Sequence, residues 1–213
     1  KSQTIYLSFR IEDMYWYEED IEALHNKRKE LVYEPRMIFY GSSSIRLWDS
    51  LEEKFKAFKP INLGFGGSTL AACTWYFEDI FEHHQAEAIV IYAGDNDLAD
   101  GRHPEEVILF LEKLLVKIRK RFPNIPVSYI SIKPSKARWH LIKSIHYTNK
   151  LAKELEQEYP NYHFIDIYSA MLKEDGKPNP EYYESDGLHL SKKGYELWNN
   201  ILIHYPQIFP KTP

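Results

Sequence analysis

Apolar residues fall along this chain in two alternating rhythms. Nearly unbroken runs rich in β-branched and aromatic residues recur at "RMIFYG" (36–41), "PINLGF" (60–65), "AIVIYAG" (88–94), "IPVSYISI" (125–132) and "YHFIDI" (162–167). Runs of this length are what parallel strands covered on both faces require. Between them the apolar spacing widens to three and four. Over residues 104–122, Val107, Leu111, Leu114 and Ile118 mark one face, with Glu and Lys on the other and Pro104 in the first turn. That spacing predicts an amphipathic helix. Residues 139–158 repeat it through Ile142, Ile145, Ala152 and Leu155. A further helix is predicted over 18–29, and Ser191 is placed to cap a last one through Tyr195, Trp198 and Leu202.

Strands alternating with helices mark βαβ units. Five parallel strands with helices on both sides predict a flavodoxin-like three-layer α/β/α sandwich. No repeat or composition break divides the chain, so one domain is expected over 1–213, with an N-terminal helical extension of about residues 1–35. In such sheets ligands bind beyond the carboxyl ends of the strands. The residues just past each strand therefore carry the functional information.

Composition narrows the choice of partners. A chain of 213 residues can remove roughly 70% of its unfolded surface from water in one core. The formal net charge of −4 gives no basic footprint, which argues against nucleic acid as a partner. The single cysteine, Cys73, excludes a disulfide framework and a Cys-rich metal site. It sits in the apolar run "STLAACTWYF", where a thiol behaves as a small buried hydrophobe. No stretch approaches the ~20 apolar residues of a membrane span. The first residue is Lys1, and a removed leader would leave no trace, so the compartment stays open between the cytoplasm and a secreted or periplasmic location. Oligomeric state is not written in the sequence.

The strand ends read "GSSS", "GFGGST", "GDNDL" and, after the fifth strand and the long loop 173–187, "SDGLHLS". Turns are rich in such residues anyway, but the four segments together hold the parts of one chemistry. Asp186 and His189 lie three apart on a turn into the Ser191 helix, so the carboxylate can fix the imidazole tautomer and leave the other nitrogen free to act as a base. A serine of "GSSS" needs such a base to become a nucleophile. Backbone N–H groups at a glycine turn and the Asn96 amide can meet the charge that develops on a carbonyl oxygen. A phosphate or dinucleotide site is excluded by the missing glycines and lysine of those motifs. "DNDLADG" fails as a calcium loop, since Ala99 takes the fifth position and the glycine comes one residue late. His83 and His84 are adjacent and do not form a chelating i, i+4 pair.

These segments resemble the blocks of the SGNH hydrolases, also called GDSL-type esterases, in order, spacing and strand placement. Gly41, Ser42 and Ser43 align with the G-D-S block, Gly67 with the block-two glycine five residues after Asn62, "GDND" with G-x-N-D, and Asp186 and His189 with D-x-x-H. The resemblance implies Ser43 as nucleophile, His189 as base and Asp186 as its orienter. It implies an oxyanion hole of the Ser43 N–H, the Gly67 N–H and the Asn96 side chain, with no metal or cofactor. Two positions depart from the pattern: Ser42 stands for the namesake aspartate, and Asp95 fills the free place of block three. A carboxylate beside the oxyanion site would oppose the developing charge, so Asp95 is expected to point away. Ser44 is expected to begin the helix that follows. The implied activity is hydrolysis of carboxylic esters through an acyl-enzyme on a small-molecule or carbohydrate ester, with short acyl or acetyl groups favoured because no long apolar lid is evident. Lysophospholipase or thioesterase activity, or a non-catalytic carbohydrate-binding module of the same fold, are the alternatives. Trp75, Tyr76, Trp139 and Tyr147 are expected to flank the cleft.

Overall fold

The computed structural model describes residues 16–211, so the first part of the expected N-terminal extension, residues 1–15, lies outside the described residues. After helix α1 (Glu18–Glu30) come strand β1 (Met37–Gly41), the short helices α2 (Ser43–Arg46) and α3 (Leu51–Lys54), and strand β2 (Pro60–Gly64). Helix α4 (Leu70–Phe81), strand β3 (Ala88–Tyr92), helices α5 (Asp95–Ala99) and α6 (Pro104–Arg121), and strand β4 (Val127–Ile130) follow. The chain ends through α7 (Ile142–Glu154), β5 (Tyr162–Ile165) and α8 (Lys192–Leu202). All five predicted strands are present. The predicted helix over 139–158 narrows to α7, with single 3-10 turns at Trp139–Leu141 and Leu155–Gln157 on either side.

The sheet is parallel throughout, in the order β2-β1-β3-β4-β5. Successive residues of a strand face opposite sides, and this divides the interior in two. Ile38, Tyr40, Ile89 and Ile91 pack with α1, α4, α6 and α7, while Met37, Phe39, Val90 and Tyr92 pack with α2, α3 and α8. The result is the predicted three-layer sandwich. No helix among the described residues is long and apolar enough to cross a membrane.

Chain direction across the sheet reverses between β1 and β3, and a crevice opens there at the carboxyl ends. Gly41, the last residue of β1, must sit tightly against β3. A β-carbon on it would lie 1.9 Å from the Tyr92 carbonyl oxygen, and its φ is +144°. Only glycine satisfies both conditions, and the next residue then donates from the Ser42 N–H to the Tyr92 carbonyl at 2.9 Å. The chain therefore leaves the sheet for α2 at the switch point itself.

Candidate active site

Three serines leave β1, and their surroundings separate them. Ser42 and Ser44 are buried and Ser43 is partly open. Ser44 is held twice: its hydroxyl accepts from Lys133 Nζ at 3.1 Å and its carbonyl from the Tyr195 hydroxyl at 3.0 Å. Below, Trp48 stacks on Tyr195 with centroids 5.3 Å apart and meets Trp198 edge-on at 5.6 Å. Such contacts are worth about 0.5–1.5 kcal/mol each beyond area burial, so the turn rests on a stiff aromatic base. Helix α2 begins at Ser43 with Ser42 at its N-cap position, one residue earlier than the sequence suggested. Ser43 Oγ has no hydrogen-bond partner among the described residues.

A cavity of about 380 Å³ opens over this turn, and Ser43, Gly67, Asn96 and His189 all line it. Gly67 has φ +63° with open space where a β-carbon would point, so glycine is favoured there by backbone conformation and not by crowding. Its carbonyl accepts from the Tyr17 hydroxyl at 3.3 Å, which turns the carbonyl side of that peptide unit toward the N-terminal segment. Trp16, 82% exposed, also lines the cavity. Residues just before α1 thus contribute to the site, which the sequence did not indicate.

His189 and Asp186 meet as expected: Nδ1 lies 2.6 Å from Asp186 Oδ2. The other carboxylate oxygen accepts from the Leu188 N–H at 2.8 Å and the His189 N–H at 3.0 Å. The Leu188 amide, with the His189 ring and amide working against slight burial, lowers the Asp186 carboxyl to about 2. Asp186 is therefore ionised across the working range, and it fixes the ring so that Nε2 remains for other work.

The third strand end differs from expectation. Asp95 does not point away: it is buried and lines the cavity. Its Oδ2 lies 3.1 Å from Lys133 Nζ and 2.9 Å from Arg138 Nη1. Burial alone would raise this carboxyl, but Lys133 and then Arg138 outweigh it and hold the group below its ordinary value. Burial lowers the Lys133 ammonium, with Asp95 opposing. The carboxylate is matched by two cations. Arg138 does more: Nη2 donates to Asn96 Oδ1 at 2.6 Å, while Asn96 Nδ2 donates to the Ser68 carbonyl at 3.0 Å. With both ends of the amide engaged, its orientation is fixed and one N–H of Nδ2 is left over.

Lys133 and Arg138 were not found from sequence. They lie in "SIKPSKAR" directly after β4, the one strand whose carboxyl end contains no motif, and a lysine at that place was the available signal. Cys73 behaves as expected, fully buried with its thiol pushed by burial up to about 12. Of the four aromatics expected at the cleft, none lines the Ser43 cavity, and Trp139 lines a different cavity. Trp75 is exposed on α4, and Tyr147 is exposed on α7.

The GDSL-like lipase/acylhydrolase family matches residues 39–197. Solved structures share the fold across nearly their whole length. A protein of Streptococcus pneumonia named for platelet activating factor superposes with TM-score 0.78 at 21% identity, covering 96% of this chain and 99% of its own. The lipase/acylhydrolase of Enterococcus faecalis gives 0.67 at 22%, covering 84% and 100%. A carbohydrate esterase family 3 protein of Talaromyces cellulolyticus gives 0.64 at 16%, covering 79% and 94%. Comparison with curated proteins finds no match. The family match runs from β1 into α8 and so takes in every strand end that lines the cavity, and on it the chain belongs to the GDSL-like lipase/acylhydrolase family and, with that family, to the carboxylic ester hydrolases.

Proposed function

We propose that this chain hydrolyses short-acyl esters, acetyl esters first among them, through an acyl-enzyme on Ser43. The observation that carries the proposal is the convergence of Ser43, Gly67, Asn96 and His189, from four separate strand ends, on one cavity. His189 Nε2 takes the proton from Ser43 Oγ as the oxygen attacks the ester carbonyl. The resulting oxyanion accepts from the Ser43 and Gly67 N–H groups and from the spare N–H of Asn96 Nδ2. Collapse of the tetrahedral intermediate expels the alcohol, which takes the proton back from His189. Water then repeats the sequence on the acyl-enzyme and releases the acid. Asp186 stays ionised throughout and supports the imidazolium.

The cavity, about 380 Å³ and shared with the Arg46 and Lys133 side chains, suits a small acyl group better than a long apolar chain. The carbohydrate esterase among the fold relatives supports a sugar ester as one substrate class. An organophosphonate probe tests the nucleophile. A single adduct on Ser43 that disappears in Ser43→Ala is expected, and an adduct on Ser42 or Ser44 would overturn the assignment. A 4-nitrophenyl ester series from acetyl to palmitoyl tests the acyl preference, and rates rising with chain length would favour a lipase-type reading.

A further inference from the structure

The Ser43 cavity holds one charge that the acyl-transfer chemistry does not use. Lys133 and Arg46 both line it, and they differ in what surrounds them. Lys133 is buried and paired with Asp95 at 3.1 Å, and Asp95 also holds Arg138 at 2.9 Å. His189, across the cavity lining, is paired with Asp186 at 2.6 Å. Arg46 is exposed. Among the described residues its guanidinium has neither a carboxylate within ion-pair distance nor a hydrogen-bond acceptor. Its five N–H donors are left to solvent and to what enters the cavity.

The chain places this cation close to the nucleophile. Ser43 and Arg46 are the first and last residues of α2, and residues three apart on a helical turn share a face with β-carbons about 5–6 Å apart. The Arg46 side chain then crosses the turn that presents Gly67. Its Nε and Cζ lie 3.4 and 3.6 Å from the point where a β-carbon on Gly66 would stand, so no side chain separates the guanidinium from that backbone. Asp20 approaches the same point from α1, with Oδ2 at 3.5 Å from it. It faces Arg46 across Gly66 and stops short of an ion pair.

We propose that Arg46 is a specificity-determining residue that receives an anionic group, a carboxylate or a phosphate, carried by the alcohol part of the ester. The spacing of Ser43 and Arg46 sets that anion about two to four bonds from the ester oxygen. The guanidinium fork matches either anion with two parallel N–H donors. An acetyl group has no place for a charge, which assigns the anion to the alcohol. Asp20 opposes the same anion and limits the gain. The inference rests on the acetyl-esterase reading of Ser43 and adds a substrate class to it.

Two acetyl esters of nearly equal shape test it, acetoxyacetate and its neutral amide, 2-acetoxyacetamide. The phosphate arm is 2-acetoxyethyl phosphate, and 4-nitrophenyl acetate is the uncharged reference. A lower KM is expected for one or both anionic esters than for the amide, and the larger preference identifies the anion. Arg46→Gln should cut the ratio of KM values, amide to preferred anion, about fivefold, as the loss of one exposed ion pair allows. Asp20→Asn should raise the same ratio about twofold. In the unaltered protein the ratio should shrink as salt is raised, because an exposed pair is screened. A ratio that Arg46→Gln leaves unmoved, or a fall in kcat shared equally by charged and neutral esters, would overturn the assignment. Equal KM values for the anionic esters and the amide would do the same, while Ser43-dependent hydrolysis of the aryl acetate left the esterase reading intact. No hydrolysis of any ester would overturn both.

Discussion

Asp186–His189 and Asp95–Lys133–Arg138 both pair a carboxylate with a basic side chain beside the same cavity, and they are built in opposite ways. The first is open, with side-chain exposures of 48% and 34%. The second is nearly closed, with Asp95 at 7%, Lys133 at 2% and Arg138 at 15%. In the open pair, backbone amides hold the carboxylate and leave the ring able to change charge. In the closed cluster the charges hold one another, and none can be lost without stranding the rest. A site that must pass protons needs the first arrangement. A site that must keep an amide dipole aimed in one direction needs the second.

Asp97, two residues from Asp95, sharpens the contrast. It is fully buried, and its Oδ2 accepts from the Leu70 N–H at 2.7 Å, but the nearest cation, on Arg102, is 4.0 Å away. Burial, only partly offset by these amides and by Arg102, raises its carboxyl to about 6. Burial without a close cation and burial with two therefore move neighbouring carboxyls in opposite directions.

The comparison can be broken at several points. His189→Ala should lower kcat on a short aryl ester by about 10⁴-fold, as loss of a triad member does, with little change in urea midpoint. A large loss of stability would mean that the open pair is structural. Lys133→Met should do the reverse first, costing about 3–5 kcal/mol of stability by leaving Asp95 undercompensated. Asp95→Asn combined with Lys133→Met should recover much of that loss, and equilibrium unfolding of both variants checks it. Arg138→Lys keeps the charge but loses the fork that reaches Asp95 and Asn96 together. About a tenfold fall in kcat with KM unchanged is expected, because a charge-assisted hydrogen bond is worth about 1.5–3 kcal/mol and lysine retains part of it. An equal loss with Arg138→Met would show that charge, and not geometry, carries the effect.

The smallest effect concerns Asp97 and pH. Its folded value is raised, so the folded state binds more protons than the unfolded one between about pH 4 and 6. The stability it contributes is complete below about pH 4 and is lost as pH rises through about 6, with a slope of at most about 1.4 kcal/mol per pH unit. Asp97→Asn should flatten that part of the stability profile. An unchanged slope would show that Asp97 is ionised at low cost in the fold.

How much of this was legible in the chain depends on the range over which the signal acts. The strands could be read because each buried run is continuous and local, and the observed β1 to β5 fall within the predicted runs. Ser43, Gly67, Asn96, Asp186 and His189, the residues of the proposed site, could be named as candidates because each sits in a short motif at a strand end. Lys133 and Arg138 could not. Their partners are 38 and 42 residues away, and "KPSKAR" carries no periodicity or motif of its own. Asp95 was misjudged for the same reason: its charge looked uncompensated while its cations were out of sight.

The sequence by itself determined the strands, most of the helices and the residues that can carry the chemistry, since these follow from local pattern and residue type. The tertiary structure decided which serine is open, which way the Asn96 amide faces and how a buried aspartate is tolerated beside the proposed oxyanion site. Those depend on β1, β3 and β4 lying side by side in the sheet. That adjacency brings Gly41 against Tyr92 and Lys133 against Asp95, and electrostatic compensation in a buried site works only over such short distances.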